Sequence, residues 1–341
     1  MKNKITKILV IILVLVFAVS IAWVRPGEAI ANVTIRIGFT VSPTHSFSVA
    51  AKTFKQDIES KTNGAVKVTI HGGGVMGGER QMVEAVVRGD LDMTWSSDIG
   101  LAAVYPELGF VNLPYLFKNY AEVDAKYRNG WIGQYITKYM DAKGVKVLAI
   151  GENDYRGLTN SKRPITKGED FKGLKLRVPE VPMYIDFYKA LGVLPTPMAI
   201  TELTTALQQG TVDGQDNGAV LTYDLGMYPF QKYATKAQQI YSGMEMCMSK
   251  KTWDKLTPDQ QKIVAAAAKK AADIQVKVNR ENVSKNYAAM AKAGTQVIEP
   301  TPELVNDLKE VAAKIWADPK YEQTYTKAVM DRIRKEAAGK K

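Results

Sequence analysis

The sequence predicts an α/β fold in two blocks of strands and helices, followed by one unusually long helix. Strand-like and helix-like patterns alternate between residues 34 and 97, and the same alternation returns between residues 145 and 210. Repeated strand–helix units imply a largely parallel sheet with helices on its faces. Two such blocks in a chain of 341 residues indicate two lobes.

The first block contains three strand-like runs separated by two helical patterns, in the order strand 34–39, helix 47–58, strand 66–70, helix 79–88 and strand 91–95. Gly89 is the stop signal of the second helix. Open sheets of this kind bind ligands at the carboxyl ends of their strands. We therefore expect ligand-binding residues directly after the strands.

The second block predicts strands at residues 145–150 and 174–178, and helices at about 183–191 and 200–209. A further helix opens with Thr257 as its N-cap, Pro258 in the first turn and Gln260 at the third position. Its helical pattern continues to about Ala293, far beyond the length of an average helix. We expect this helix to brace both lobes.

The amino terminus has the three parts of a signal peptide. Three lysines precede an uncharged run at residues 8–24 that is apolar except for Ser20, and Ala29-Ile30-Ala31 follows as a small-x-small cleavage site. We therefore expect residues 1–31 to be a cleaved signal peptide and the protein to be exported. The alternative is an uncleaved anchor helix, because the apolar run is close to the shortest length that spans a membrane.

The composition argues against several classes of function. The net charge is +11, but the basic residues are interleaved with acidic ones along helical patterns, which does not indicate nucleic-acid binding. The two histidines, His45 and His71, are not at metal-ligand spacing, and the single cysteine, Cys247, lies in an apolar stretch. The glycine-rich residues 72–78 lack the lysine of a phosphate-binding loop. We therefore expect no metal, no cofactor and no catalytic nucleophile.

Two polar segments of the second block are candidate binding elements. Alternation in residues 173–180 places Arg177 opposite the apolar side chains of a predicted buried strand, where it needs an anion. That anion is either a ligand carboxylate or an internal Asp or Glu. Residues 212–218 predict a turn-rich polar loop, in which Asn217 either contacts a ligand or closes an Asx turn on its own backbone.

The chain resembles the substrate-binding proteins of tripartite ATP-independent periplasmic (TRAP) transporters, of the dicarboxylate-binding type. The resemblance lies in GERQ (78–81), GDLDM (89–93), LTNSKRPI (158–165), LKLRVP (174–179), PTPM (195–198), ALQQG (206–210) and VDGQDN (212–217). It implies a two-lobed periplasmic binding protein fold with a hinge and a long helix that spans both lobes. Residues 32–154 with about 243–282 would form lobe I, and residues 155–242 with about 283–341 would form lobe II.

The same resemblance implies which residues meet the ligand. Arg177 would form the salt bridge to the ligand carboxylate, Arg156 would add a second contact, and Asn217 would bond the ligand near the same end. The other cleft positions that it implies are Thr40, Glu79, Ser97, Glu180, Ile200 and Gln239. An acidic Glu180 in the cleft would reject a second carboxylate and favour a hydroxylated acid such as a sugar acid, unless its side chain turns outward to solvent.

Two positions depart from the family pattern and leave the ligand's identity open. Gly218 stands where the family usually has proline, and residues 237–239, Ala-Gln-Gln, stand where it often has Thr-x-His. We expect an extracytoplasmic, periplasmic subunit that captures a small organic acid and delivers it to the small and large membrane permease subunits. The alternatives are an exported receptor that senses an organic acid, and an exported hydrolase or isomerase with Glu79 and Asp98 as its carboxylate pair.

Overall fold

The computed structural model describes residues 32–337. The predicted signal peptide at residues 1–31, with its alternative as an anchor helix, lies outside the described residues. Among residues 32–337 no helix combines the length and the apolar character that are needed to span a membrane.

The strands form two sheets. In chain order they are β1 Val33–Gly38, β2 Val66–His71, β3 Met93–Ser97, β4 Val145–Tyr155, β5 Gly157–Asn160, β6 Lys175–Val178, β7 Leu194–Pro197, β8 Gly214–Asn217, β9 Tyr233–Thr235, β10 Tyr241–Ser249 and β11 Gln296–Ile298. The five-stranded sheet has the order β2-β1-β3-β10-β4, and the six-stranded sheet has the order β11-β9-β5-β8-β6-β7. The first three strands of the smaller sheet are parallel, whereas β10 runs antiparallel to both of its neighbours.

Helices cover these sheets and connect their strands. They are α1 Ser46–Lys61, α2 Glu79–Arg88, α3 Asp98–Val104, α4 Tyr120–Glu122, α5 Trp131–Ala142, α6 Pro182–Ala190, α7 Ile200–Gln208, α8 Ala219–Asp224, α9 Lys250–Trp253, α10 Pro258–Lys292, α11 Pro302–Ala317, α12 Pro319–Tyr325 and α13 Lys327–Ala337. A π-helical stretch, Val123–Arg128, continues α4, and short 3₁₀ turns lie at Pro106–Asn112, Gly168–Phe171 and Tyr228–Phe230.

The long helix α10 begins and ends within one residue of its predicted bounds. Its N-cap is reciprocal, because Thr257 Oγ1 accepts from Gln260 N at 3.3 Å and Gln260 Oε1 accepts from Thr257 N at 3.0 Å. Each such cap typically stabilises a helix by about 1 kcal/mol. The helix packs on α1 and β4 beside the five-stranded sheet and reaches β11 of the six-stranded sheet. It therefore contacts both lobes, as expected.

The aromatic core of the first lobe fixes the strands that lead into the cleft. The fully buried Trp95 lies between Phe39 and Phe54, with ring centroids 6.2 and 5.9 Å away. An aromatic pair of this kind contributes about 0.5–1.5 kcal/mol beyond the burial of its area. Because Phe39 directly precedes Thr40, and Trp95 lies two residues before Ser97, this packing also sets the positions of two predicted ligand-binding residues.

One prediction about the second sheet was wrong. Residues 212–218 do not form an open loop, because Gly214–Asn217 is a strand that pairs with β5 on one side and β6 on the other. All four residues are buried, so their backbone groups must bond in the sheet although their side chains are polar. A side chain at Gly214 would lie 2.0 Å from the Thr159 carbonyl oxygen, so only glycine fits there. Asn217 is therefore a strand residue rather than the start of an Asx turn.

Two residues meet where the chain passes between the sheets. Asp154, at the end of β4, has a φ of 135°, a strained conformation that costs about 1–3 kcal/mol. Its Oδ1 accepts hydrogen bonds from Tyr120 Oη at 2.7 Å and from Tyr155 N at 2.6 Å. A Cβ at Gly218 would lie 2.8 Å from Asp154 Cβ. Asp154 thus occupies the space that a larger residue at position 218 would need, which accounts for the glycine there.

Replacing Asp154 with asparagine should remove a pH-dependent loss of stability. Burial, reinforced by Glu152, raises the pKa of Asp154 from 3.8 to about 7. Between these two values the folded protein holds a proton that the unfolded chain has released, so the free energy of unfolding falls as the pH rises. An asparagine keeps the Oδ1 acceptor and carries no charge, so the variant should exceed the wild type in stability above about pH 7 and lose this advantage toward about pH 4.

Urea unfolding across this pH range measures the difference. Asp98 and Glu245 also have raised pKa values because of burial, but they are present in both proteins and cancel in the comparison. The control is Asp254→Asn, at an aspartate whose side chain is 54% exposed. A variant at position 154 that parallels the wild type at every pH would contradict the prediction.

Candidate functional site

A small cavity lies between the two sheets, where the ends of strands from both lobes meet. We call it the inner chamber, and its lining residues are Thr40, Val41, Phe47, Glu79, Ser97, Ile99, Asn153, Arg156, Arg177, Pro179, Ile200, Asn217 and Leu221. Its volume is about 30 Å³, enough for one or two water molecules or a carboxylate group. Seven of the nine residues predicted from the sequence line it, all except Glu180 and Gln239.

Arg177 is a buried cation without a carboxylate partner. It lies on β6 and is only 4% exposed, and its Nε and Nη2 donate to the Met198 carbonyl oxygen at 3.0 and 2.8 Å. Burial, with the nearby charge of Arg156, lowers the pKa of Arg177 to about 10. The internal salt bridge that we considered for Arg177 is not formed by any described residue. An anion in the chamber would therefore meet a guanidinium that forms no salt bridge with any described carboxylate.

Arg156 differs, because its charge is already paired. Its Nε and Nη2 donate to the two carboxylate oxygens of Asp216 at 3.0 Å each, and both side chains are 1% exposed. The guanidinium also lies over the Tyr184 ring, 5.2 Å from its centroid. Burial alone would lower the pKa of Arg156, but Asp216 and the neighbouring tyrosines raise it above its ordinary value. Arg156 can donate to a ligand, but its own charge is already balanced by Asp216.

Glu79 is held rigidly against the chamber wall. Its Oε1 accepts from Ser97 N at 2.8 Å, and its Oε2 accepts from Ser97 Oγ at 2.7 Å. Ser97 is also the N-cap of α3, because its Oγ accepts from Gly100 N at 3.3 Å. The carboxylate of Glu79 is thus a fixed acceptor, which suits ligand hydroxyl groups and disfavours a second ligand carboxylate.

Asn217 is oriented by a chain of side-chain hydrogen bonds. Its Nδ2 donates to Gln215 Oε1 at 2.6 Å, and Gln215 Nε2 donates in turn to Thr159 Oγ1 at 2.8 Å and Thr222 Oγ1 at 3.2 Å. Because every member of this chain is buried, Asn217 has little freedom to turn away from the chamber.

Asn153 is a lining residue that the sequence prediction missed. It lies on β4, and its Nδ2 donates to Ser242 Oγ at 3.3 Å. The sequence pattern predicts a strand that ends at residue 150, whereas β4 continues to Tyr155. The polar residues 152–154, Glu-Asn-Asp, at the end of this strand mark its approach to the cleft.

Two residues expected at the ligand lie outside the inner chamber. Glu180 follows Arg177 and Pro179 along the chain and is exposed, because it lies past the end of β6. Gln239 is fully buried, and its Nε2 donates to the Tyr188 hydroxyl at 2.9 Å. Because Tyr188 also interacts with Asp216, Gln239 supports the partner of Arg156 rather than the cavity wall.

The carboxylate pair considered for catalysis does not converge in the chamber. Asp98 Oδ1 accepts from Ser242 Oγ at 2.7 Å and Oδ2 accepts from Gly243 N at 2.7 Å, so this carboxyl is turned into the first lobe. Burial raises the pKa of Asp98 to about 6, yet Glu79 alone of the two lines the cavity. Among residues 32–337, no three His, Cys, Asp or Glu side chains are grouped as metal ligands.

The sequence and the fold match a known family. Residues 37–323 match the family model described as bacterial extracellular solute-binding protein, family 7. The chain belongs to this family. The family 7 membership confirms the resemblance to TRAP solute-binding proteins, and the function is that of a solute-binding subunit.

Individual family 7 relatives agree with this assignment. A solute-binding protein of Verminephrobacter eiseniae is 35% identical over 90% of this chain and 90% of its own length. The 2,3-diketo-L-gulonate-binding periplasmic protein of Escherichia coli is 30% identical over 80% of this chain and 83% of its own. A TRAP periplasmic solute-binding protein of Polaromonas, solved with D-erythronate, has a TM-score of 0.82 and 34% identity over 88% of this chain and 98% of its own. The predicted two-lobed α/β fold is thereby confirmed.

Proposed function

We propose that this family 7 protein captures a sugar acid, or a closely related hydroxy acid with one carboxylate, and delivers it to the small and large membrane permease subunits of a TRAP transporter. The observation that carries this proposal is Arg177, a buried guanidinium that faces the chamber and has no acidic partner among the described residues. A ligand carboxylate would supply that partner through two parallel hydrogen bonds. Energetically, the ligand would complete an ion pair that the folded protein leaves open.

The remaining polar groups support a single carboxylate accompanied by hydroxyls. Arg156 and Asn217 would donate near the carboxylate end, whereas the fixed carboxylate of Glu79 would accept from hydroxyl groups. Because Asp216 neutralises Arg156, the chamber offers only one unpaired positive charge. The E. coli and Polaromonas relatives, named for 2,3-diketo-L-gulonate and D-erythronate, accord with such a ligand.

Capture would involve closure of the two lobes. We assign residues 32–154 with about 243–282 to lobe I, and residues 155–242 with about 283–341 to lobe II, in keeping with the strands that each sheet contains. The passages between the sheets, including the strained Asp154, would serve as the hinge, and the ligand would stabilise the closed form. The protein would work in the periplasm after cleavage of the signal peptide.

The protein would release its ligand without any chemical change to the ligand. Glu79 is bonded to the Ser97 hydroxyl that caps α3, and Asp98 is turned away from the cavity, so no two carboxylates converge in the inner chamber. General acid–base chemistry requires such groups within hydrogen-bond reach of the substrate. We therefore propose that the protein binds its ligand and does not convert it.

A thermal-shift screen with calorimetry tests the proposal. D-erythronate, D-gluconate and D-galactonate are compared with succinate and with galactitol, which lacks a carboxylate. At least one sugar acid should raise the melting temperature, because a ligand at 100 times its Kd adds about 2.7 kcal/mol of stability, and mass spectrometry should recover it unaltered. The proposal would be contradicted if galactitol or succinate stabilised the protein as much as every sugar acid did. Recovery of a converted product would also contradict it.

A further inference from the structure

A second and much larger pocket adjoins the inner chamber. This outer pocket has a volume of about 380 Å³ and lies between the first turns of α2 and α3 of one lobe, and residues 177–180 and 198–202 of the other. Its walls include Glu79, Arg177 and Ile200, which also line the inner chamber. The two cavities therefore adjoin at these side chains, and the inner one has room for little more than a carboxylate group.

The polar lining of the outer pocket is acidic. Glu180 and Glu202 contribute carboxylates from the second lobe, and neither forms a hydrogen bond or ion pair with any described residue. Glu84 contributes a third from the first lobe, which pairs with Arg80 at 3.1 Å. Such a lining repels a second carboxylate and offers several acceptors for hydroxyl groups.

One side of the outer pocket is apolar. Ile99, Pro179 and Met198 line it beside the carboxylates, and Ala103 leaves space in its wall. Ligand pockets typically combine an apolar surface with a few placed polar groups that fix the orientation of the ligand. A sugar ring has both kinds of surface, with C–H groups on its face and hydroxyls around its edge.

We infer that the outer pocket is a binding subsite for a neutral sugar ring, so that the protein takes disaccharide acids: an aldonic or uronic acid that carries one glycosyl residue. The acid unit would place its carboxylate at Arg177 and its hydroxylated chain in the part of the outer pocket beside Glu79 and Ile200. The glycosyl residue would lie in the rest of the outer pocket, against Glu180 and Glu202. This inference rests on the proposed function and extends it from single sugar acids to glycosylated ones.

Calorimetry with gluconate and its glycosylated forms tests the inference. Lactobionate, cellobionate and maltobionate all consist of gluconate with one neutral hexose attached, so they differ from gluconate only by the ring assigned to the outer pocket. At least one of the three should bind about tenfold more tightly than gluconate. The inference is overturned if gluconate binds more tightly than all three, or if none of the three binds while another sugar acid does. The proposed function itself fails only if no sugar acid of either size binds.

A variant that narrows the outer pocket tests whether this pocket binds the second sugar ring or is only the entrance to the cleft. Ala103→Trp would place a large side chain in the wall of the outer pocket, and should weaken binding of the preferred disaccharide acid at least tenfold more than it weakens binding of gluconate. Ala313→Trp, on an exposed face of α11 outside the cleft, is the matched control and should change neither affinity. The inference would be overturned if Ala103→Trp weakened binding of the disaccharide acid and of gluconate equally. The pocket would then affect closure of the lobes and not the binding of a second ring.

Discussion

Replacing Arg177 with alanine should weaken binding of the sugar acid by about 2–5 kcal/mol, or about thirtyfold to several thousandfold in Kd. The reason is that a desolvated carboxylate would lose its only unneutralised partner, because Arg156 is already paired with Asp216. The ligand-free variant should nevertheless fold with near-native stability, since it loses a buried charge whose pKa is lowered by that burial. Isothermal calorimetry gives the affinity, and thermal unfolding without ligand gives the stability.

Two further variants sharpen this measurement. Arg177→Lys keeps the charge and loses the planar fork, so its affinity should lie between those of the wild type and the alanine variant. Arg163 is a matched control, because its Nε and Nη2 also donate to backbone carbonyl oxygens, of Asp170 and Lys172, but outside the cleft. Arg163→Ala should leave the affinity unchanged. An Arg177→Ala protein with near-native affinity would refute the assignment of the carboxylate to this residue.

The second large effect concerns stability rather than binding. Asp216→Ala should lower the free energy of unfolding by about 3–5 kcal/mol, because it leaves the Arg156 guanidinium buried without a counter-charge. Both side chains are 1% exposed, so solvent cannot take over the role of the lost carboxylate. Urea unfolding at neutral pH measures the change.

A double variant tests whether the stability lost in Asp216→Ala comes from the uncompensated charge of Arg156 or from the lost packing of the Asp216 side chain. Arg156→Met with Asp216→Leu removes both charges and fills similar space, so it should regain most of the stability lost in Asp216→Ala. The comparison concerns unfolding alone, since Arg156 also lines the ligand chamber. If the double variant were no more stable than Asp216→Ala, the uncompensated charge would not be the cause of the loss.

Local signals in the sequence predicted the elements that depend on local interactions. Glu79–Arg88 has the predicted bounds because Gly89 ends the helix with a φ of 83°. The long helix was found from its capping box, and Arg177 and Asn217 from the family pattern. In these cases the residues that determine the structure are close together in the chain, or belong to a motif.

The remaining features depend on contacts that are distant in the chain. The strand β8 was missed because its pairing with β5 and β6 buries polar side chains without an alternating pattern. The Arg156–Asp216 pair joins residues 60 positions apart, and no periodicity reports such a partner. The outer pocket arises only where two lobes face each other, so neither lobe's sequence pattern indicates it.

The position of β10 has a consequence for how the chain folds during synthesis. This strand lies in the middle of the five-stranded sheet, between β3 and β4, yet it is made after five of the six strands of the other sheet. Until about residue 249 has been made, β3 and β4 each present an unpaired edge of the kind that recruits other chains into aggregates. The nascent protein therefore needs protection from self-association over most of its length, and a fragment that ends before β10 should be insoluble rather than a smaller folded lobe.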